Sequence, residues 1–147
     1  MLLASPGEGE GGAERAAAAL PAAGVDVVAY TGGGASEERA AIAVAALLGC
    51  AAPTAIGASD LLNAAATLAI DGRVVLVFAC PDAHAAAVAV VASGKAELAP
   101  VFPVTPWAMS AIDFPGGGGS AELRAFGYDA CAGWDVGEGE AWGSWWK

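Results

Sequence analysis

Apolar and polar positions along the chain sort into short unbroken apolar runs separated by alanine-rich segments that open on polar residues. VDVVAYT (25–31) and VVLVFA (74–79) are β-branched and apolar almost throughout, the pattern of strands buried on both faces. MLLAS at the start is a candidate first strand, and PTAIG (53–57) a short one. The segments between them read as helices. Ala13–Leu20, with Glu14 and Arg15, is stopped by Pro21. Ser36 with Glu37 and Glu38 opens a helix favoured by its dipole, which runs through AAIAVAALLG and ends at Gly49. Ser59-Asp60 starts another over LLNAAATLAI, closed by Asp71-Gly72. Pro81 suits a first helical position, where its missing N–H costs nothing, and Asp82 suits that first turn; this helix continues to about Ser93.

The last third changes character. VFPV, AMSAIDF and ELRAFGY are short strand-like runs, and PGGGGS (115–120) between the last two reads as a hairpin loop. The tail CAGWDVGEGEAWGSWWK holds four of the five tryptophans without a periodic pattern and is read as irregular, from 132 to 147. Strands alternating with helices imply an α/β protein: a three-layer α/β/α sandwich around a mostly parallel sheet, in a single domain over 1–147. No internal repeat is visible.

Composition narrows the class. Hydrophobic residues make up 56% of the 147 and charged residues only 15%, which excludes a disordered chain and leaves a surface short of solubilising groups. Such a surface favours a protein partner or self-association, with a homodimer as the simplest form. Six basic residues stand against sixteen acidic ones, a net charge of −10. Nucleic acid is therefore excluded as a partner, and anionic small molecules need a local basic pocket. Cys50, Cys80 and Cys131 are widely spaced with no CxxC, which fits reduced thiols in a cytoplasmic protein and no metal site. The opening MLLASPGEGE lacks a basic region, so no secretory signal is expected there. Ala40–Ser59 is uncharged but built of alanine and broken by Gly49, Pro53 and Gly57; a helix and loop is expected, not a membrane span.

Two strand–turn–helix corners are candidates for chemistry. At 31–38 the glycines Gly32 and Gly34 suggest a phosphate cradle, but Glu37 stands where a third glycine belongs and two glutamates in the first turn oppose a phosphate. A tight turn with a capped helix is the expected reading. The second corner joins Cys80, Asp82 and the only histidine, His84. A cysteine at a helix N-terminus is a possible thiolate, and His84, four residues on, lies on the same helical face. Asp82 opposes a thiolate, however, and free cysteines are commonly buried. Among the tail tryptophans, Trp142, Trp145 and Trp146 suit a self-packed tail and a contact surface equally.

Taken together, these segments resemble the histidine phosphatase (phosphoglycerate mutase-like) superfamily over most of the chain. AERAAAALPAAGVDVVAYTGGGASEERAAIAVAALLG resembles the family's helix–strand–helix with its Ser-Ser-Pro-Leu strand end. GRVVLVFACPDAHAAAVAVVASG resembles the strand ending in Ser-His-Gly and the apolar helix after it. AMSAIDF–GGGG–AELRAFGYDA resembles the late hairpin, which commonly carries a serine near its start. MLLASPGE resembles the opening strand and its Arg-His-Gly-Glu signature.

The family's chemistry uses two arginines and two histidines around one phosphate, one histidine being the nucleophile, with a carboxylate as acid/base. By that resemblance Ser5-Pro6 stand at the Arg-His position, Gly7 and Glu8 retain the rest of the signature, Ser36 stands near the second arginine and Cys80 at the second histidine. The insert that carries the acidic catalyst is absent between about Leu48 and Leu61. Arg39, one turn beyond Ser36, is the one nearby cation. A vestigial pocket of Ser5, Pro6, Gly7, Ser36, Arg39 and Cys80 is expected, and His84 falls at an apolar helix position, hence in packing.

Two histidines cannot be assembled from a chain with one. The primary expectation is a catalytically inactive member of this family that acts by binding, as a subunit, a scaffold or a small-ligand module, without a cofactor. The second is an enzyme in which Cys80, His84, Glu8 or Asp82 act on an uncharged biosynthetic intermediate. A dinucleotide- or flavin-binding domain is the third, weakened by the failed glycine fingerprint.

Overall fold

A computed structural model describes residues 1–6, 13–14, 17, 24–32, 35–93, 108–114 and 121–129. Six strands form one sheet: β1 Leu2–Ala4, β2 Val25–Thr31, β3 Thr54–Ile56, β4 Val74–Phe78, β5 Ala108–Asp113 and β6 Glu122–Asp129. Their order is β3-β2-β4-β1-β5-β6. The first four are mutually parallel, while β5 runs antiparallel to β1, and β6 to β5. Among the described residues, three complete α-helices follow their strands as the apolar runs imply: α1 Ala35–Leu48, α2 Leu61–Leu68 and α3 Pro81–Ser93. Single 3-10 turns stand at Ala58–Asp60 and Ile70–Gly72.

The expected helix over 13–20 is helical at Ala13, Glu14 and Ala17, and its other residues lie outside the described ones. So do VFPV, the PGGGGS loop, Cys131 and the tryptophan-rich tail.

Strand alternation divides the core into two faces. Leu2, Ala4, Val28, Leu76, Phe78 and Met109 face α1, which contributes Ala40, Ala41, Val44 and Ala45, together with Ala17. Leu3, Ala29, Val75, Val77, Ala79 and Ile112 face Leu61 and Ala65 of α2 and Ala87 of α3. Large side chains come from the sheet and small ones from the helices, so the alanine stripes let the helices lie close on Phe78 and the leucines. The result is the α/β/α arrangement expected.

One expectation needs correction. VDVVAYT reads as buried throughout, yet Asp26 is exposed and Val25 and Val27 are half-buried. The register of β2 on β4 slips between Val25 and Val27, and the Asp26 carboxylate accepts the Val74 N–H at 2.8 Å in place of a ladder bond. The polar residue in the run marks a bulge at the strand's entry.

Candidate functional site

The connections predict a crevice at the carboxyl ends of the parallel strands. Ala13 and Ala17, which follow β1, and α1, which follows β2, pack on one face of the sheet, whereas α3, which follows β4, packs on the opposite face. Because β4 lies between β2 and β1 in the sheet, its neighbours' connections diverge from its own. Such divergence opens a crevice at the carboxyl ends of parallel strands. Three segments meet there: Ser5-Pro6 after β1, Thr31-Gly32 after β2 with the first turn of α1, and Ala79-Cys80 after β4. Backbone bonds prolong the ladders to its edge, from the Ala79 N–H to the Ala4 carbonyl at 2.9 Å and from the Gly32 N–H to the Ile56 carbonyl at 3.2 Å.

Pro6 and Cys80 are half-buried on adjacent strand ends, and Ser36 is half-buried in the first turn of α1. Cys80 caps α3, its carbonyl accepting the His84 N–H at 2.9 Å. The Ser36 hydroxyl donates to Glu37 at 3.3 Å. Glu37 stands in the first turn of α1 as the dipole reading expects, and it is buried: it lies in helical register with Ala40, Ala41 and Val44 on the side that faces the sheet. Arg39 is exposed, and its Nε donates to the Ala35 carbonyl of its own helix at 3.3 Å. Asp82 is exposed on α3. Gly7 and Glu8 lie outside the described residues, and among the described residues no cluster of His, Cys, Asp or Glu could hold a metal ion.

His84 is buried, as its apolar helix position implies, but it is not only packing. Its Nδ1 lies 2.9 Å from the Ser5 hydroxyl and its Nε2 lies 2.6 Å from the Ser110 hydroxyl. Ring and serines are essentially inaccessible, at 0% for His84 and 1% for each serine. Alternation explains the meeting. Ser5 shares the face of Leu3, Ser110 pairs with Leu3 across the β1–β5 ladder, and both therefore point under α3. Burial pushes the imidazole down from 6.5 to about 4, so the ring is neutral at physiological pH. One ring nitrogen donates to one hydroxyl and the other accepts from the second. Both are thus engaged by serines, and neither is left for Cys80.

Ser110 was not among the residues singled out from the sequence, and Glu37 was singled out only as a helix-opening residue that opposes a phosphate. A signal existed for Ser110, since it shares strand parity with Ile112 and so must point into the core.

No protein-family model and no curated protein sequence matches the chain. Solved structures do match its fold. The open reading frame Rv3214 from Mycobacterium tuberculosis superposes with a TM-score of 0.63 at 14% identity, covering 88% of this chain and 97% of that one. The alpha-ribazole phosphatase from Shigella flexneri gives a TM-score of 0.57 at 14% identity, with the same coverage of 88% and 97%. Both are histidine phosphatase superfamily members, and the fold of this chain is phosphoglycerate mutase-like. Among the described residues no helix is long and apolar enough to cross a membrane.

Proposed function

We propose that this protein is a histidine-phosphatase-like chain that acts by binding and does not transfer phosphoryl groups. The observation that carries this reading is the placement of the single histidine. A phosphoryl-accepting imidazole must reach the substrate with a free nitrogen, and both nitrogens of His84 are engaged inside the protein. The strand-end crevice supports it further. Ser5, Ser36 and Cys80 stand at the positions that the resemblance gives to cations and histidines. The basic side chains whose surroundings are described, Arg39 and Arg73, are exposed, and Arg73 precedes β4 at the opposite end of the sheet. A dianionic phosphate needs charge-assisted donors to offset its loss of hydration. A crevice edged by the half-buried Ser36 hydroxyl and its Glu37 partner suits an uncharged ligand or a protein segment. A second copy of the chain is the simplest partner, because Ile42 and Leu47 on α1 are 52% and 55% exposed.

Assay against a panel of phosphomonoesters tests the reading, with no turnover above background expected. Turnover that disappears in Cys80→Ala or Arg39→Ala would overturn it. The half-buried Cys80 at the N-terminus of α3 favours one second reading, a thiol-dependent enzyme acting on an uncharged substrate. An unreactive Cys80 in thiol titration counts against that role.

A further inference from the structure

We propose that the outer edge of β3 is a self-association surface: two copies of this chain pair their β3 strands antiparallel across a two-fold axis at Ala55 and join their sheets into one. β3 ends the sheet, and solvent reaches Ala51, Ala52, Thr54, Ala55, Gly57 and Ala58 along it. The register on β2 sets which backbone groups face outward. Thr31 pairs with Ile56, and the Gly32 N–H donates to the Ile56 carbonyl at 3.2 Å. In a parallel ladder alternate residues bond the neighbouring strand, so Thr54 and Ile56 turn their N–H and C=O groups to β2. Ala55 therefore turns both of its groups away. Trans peptides carry the alternation to the ends of the strand: the Pro53 C=O points opposite to the Thr54 N–H, and the Gly57 N–H opposite to the Ile56 C=O. Gly57 is itself extended, with φ −74° and ψ 136°.

That edge complements itself. An antiparallel partner centred on Ala55 brings Ala55 opposite the same residue of the second copy, about 5.5 Å away between Cα atoms, and Pro53 opposite Gly57. The paired alanines exchange both of their backbone bonds, and each Gly57 N–H donates to a Pro53 C=O. The groups that this pairing does not use are already accounted for. Proline has no N–H, and the Gly57 C=O accepts the Asp60 N–H at 3.2 Å. No outward donor or acceptor of Pro53, Ala55 or Gly57 is stranded by the pairing. The side chains at these positions are short, so the two backbones can approach.

Charge selects the same edge. Each copy carries −10, so two copies repel except where neither is charged. Ala40–Ser59 holds no charged residue, and β3 lies inside it. Edge strands are commonly kept apart by charges or bulges, but β3 carries no charge and its register on β2 is unbroken. β6, at the other edge, carries Glu122, Arg124 and Asp129, and its pairing with β5 is irregular. An isologous pair also closes at two copies, because each β3 edge is consumed in the pairing. This pairing places the second copy already proposed as a partner, and it depends on the β3 edge alone, not on whether the chain transfers phosphoryl groups.

Amide exchange read together with sedimentation tests the pairing. In concentrated wild-type protein that sediments as a dimer, the Ala55 and Gly57 amides should exchange at least roughly tenfold more slowly than in the monomer, while the Ile56 amide, which bonds β2, is protected in the monomer as well. Diluted protein supplies that monomer, or Ala55→Lys where dilution does not dissociate the pair, since it sets like charges opposite each other on the axis. Gly57→Pro removes an N–H that the β2–β3 ladder does not use, at a φ that proline accepts, and should raise the dimer Kd at least about tenfold. The proposal is overturned by wild-type protein that stays monomeric when concentrated, or by a dimer whose Ala55 and Gly57 amides exchange freely, which puts the contact elsewhere. Protection of both amides that persists in the monomer overturns it too, because a segment of the chain itself then covers the edge, as does a Gly57→Pro variant that dimerises like the wild type. Should either variant not fold, sedimentation and exchange on the wild type decide the matter.

Discussion

His84 Nε2 and the Ser110 hydroxyl lie 2.6 Å apart inside the protein, although 26 residues separate them in the chain. With Ser5 on the other ring nitrogen, every polar side-chain atom of this buried trio has a partner. Removing one member strands the others, and an unpaired buried donor or acceptor costs about 1–3 kcal/mol. His84→Ala should therefore destabilise the protein by about 2–4 kcal/mol in denaturant unfolding, from two stranded hydroxyls and a cavity. The triple variant Ser5→Ala, His84→Leu, Ser110→Ala should recover a large part of that loss. A triple variant weaker than His84→Ala alone would contradict the reading.

Stability should decline in mild acid. The folded-state value of His84 lies below its unfolded value, so between 6.5 and about 4 the unfolded chain binds the extra proton. No contribution is lost above pH 6.5; the loss grows as pH falls and levels off below pH 4, with a ceiling of about 3 kcal/mol. Unfolding free energies measured at intervals from pH 7 to pH 4 should show this decline in the wild type, and a shallower one in His84→Gln.

The close approach of α1 to the sheet depends on small residues. Ala41 is fully buried against the face that holds Leu76 and Phe78. Ala41→Leu should cost about 1–3 kcal/mol by overpacking. Phe78→Ala should cost about 3–5 kcal/mol through the cavity it leaves. Equal tolerance of both substitutions in thermal unfolding would mean that the helix does not pack here.

Asp26 is a test of the β2 bulge. Asp26→Ala removes the acceptor of the Val74 N–H, for an expected loss of about 0.5–1.5 kcal/mol, and Asp26→Asn should recover part of it through its carbonyl. The Cys50 thiol is pushed up by burial and then by Asp26, and it donates to the Val25 carbonyl at 3.4 Å. Asp26→Asn should therefore speed alkylation of Cys50 at fixed pH, read by peptide mass mapping. An unchanged rate would remove Asp26 from that environment.

Much of the fold is legible in the sequence because its strands are unbroken apolar runs and its helices open on polar residues. Pro81 and Asp82 mark the start of α3, and Gly49, with φ of 72°, closes α1. The site is less legible, for physical reasons. Ser110 is one polar residue in AMSAIDF, and its partner is fixed by a helix packed across the sheet. His84 reads correctly as buried, but its bonds depend on residues 79 and 26 positions away. Glu37 reads as a first-turn residue, and local dipole rules do not say which helix face meets the sheet. Tertiary placement decides its burial.

Trapping of a phosphoenzyme tests most directly the proposal that this chain acts by binding without phosphoryl transfer. The protein is incubated with a panel of phosphomonoesters, and its intact mass is read under conditions that preserve phosphohistidine. The predicted spectrum is that of the unmodified chain alone. A species heavier by one phosphoryl group, mapped to His84 and absent in His84→Gln, would contradict it.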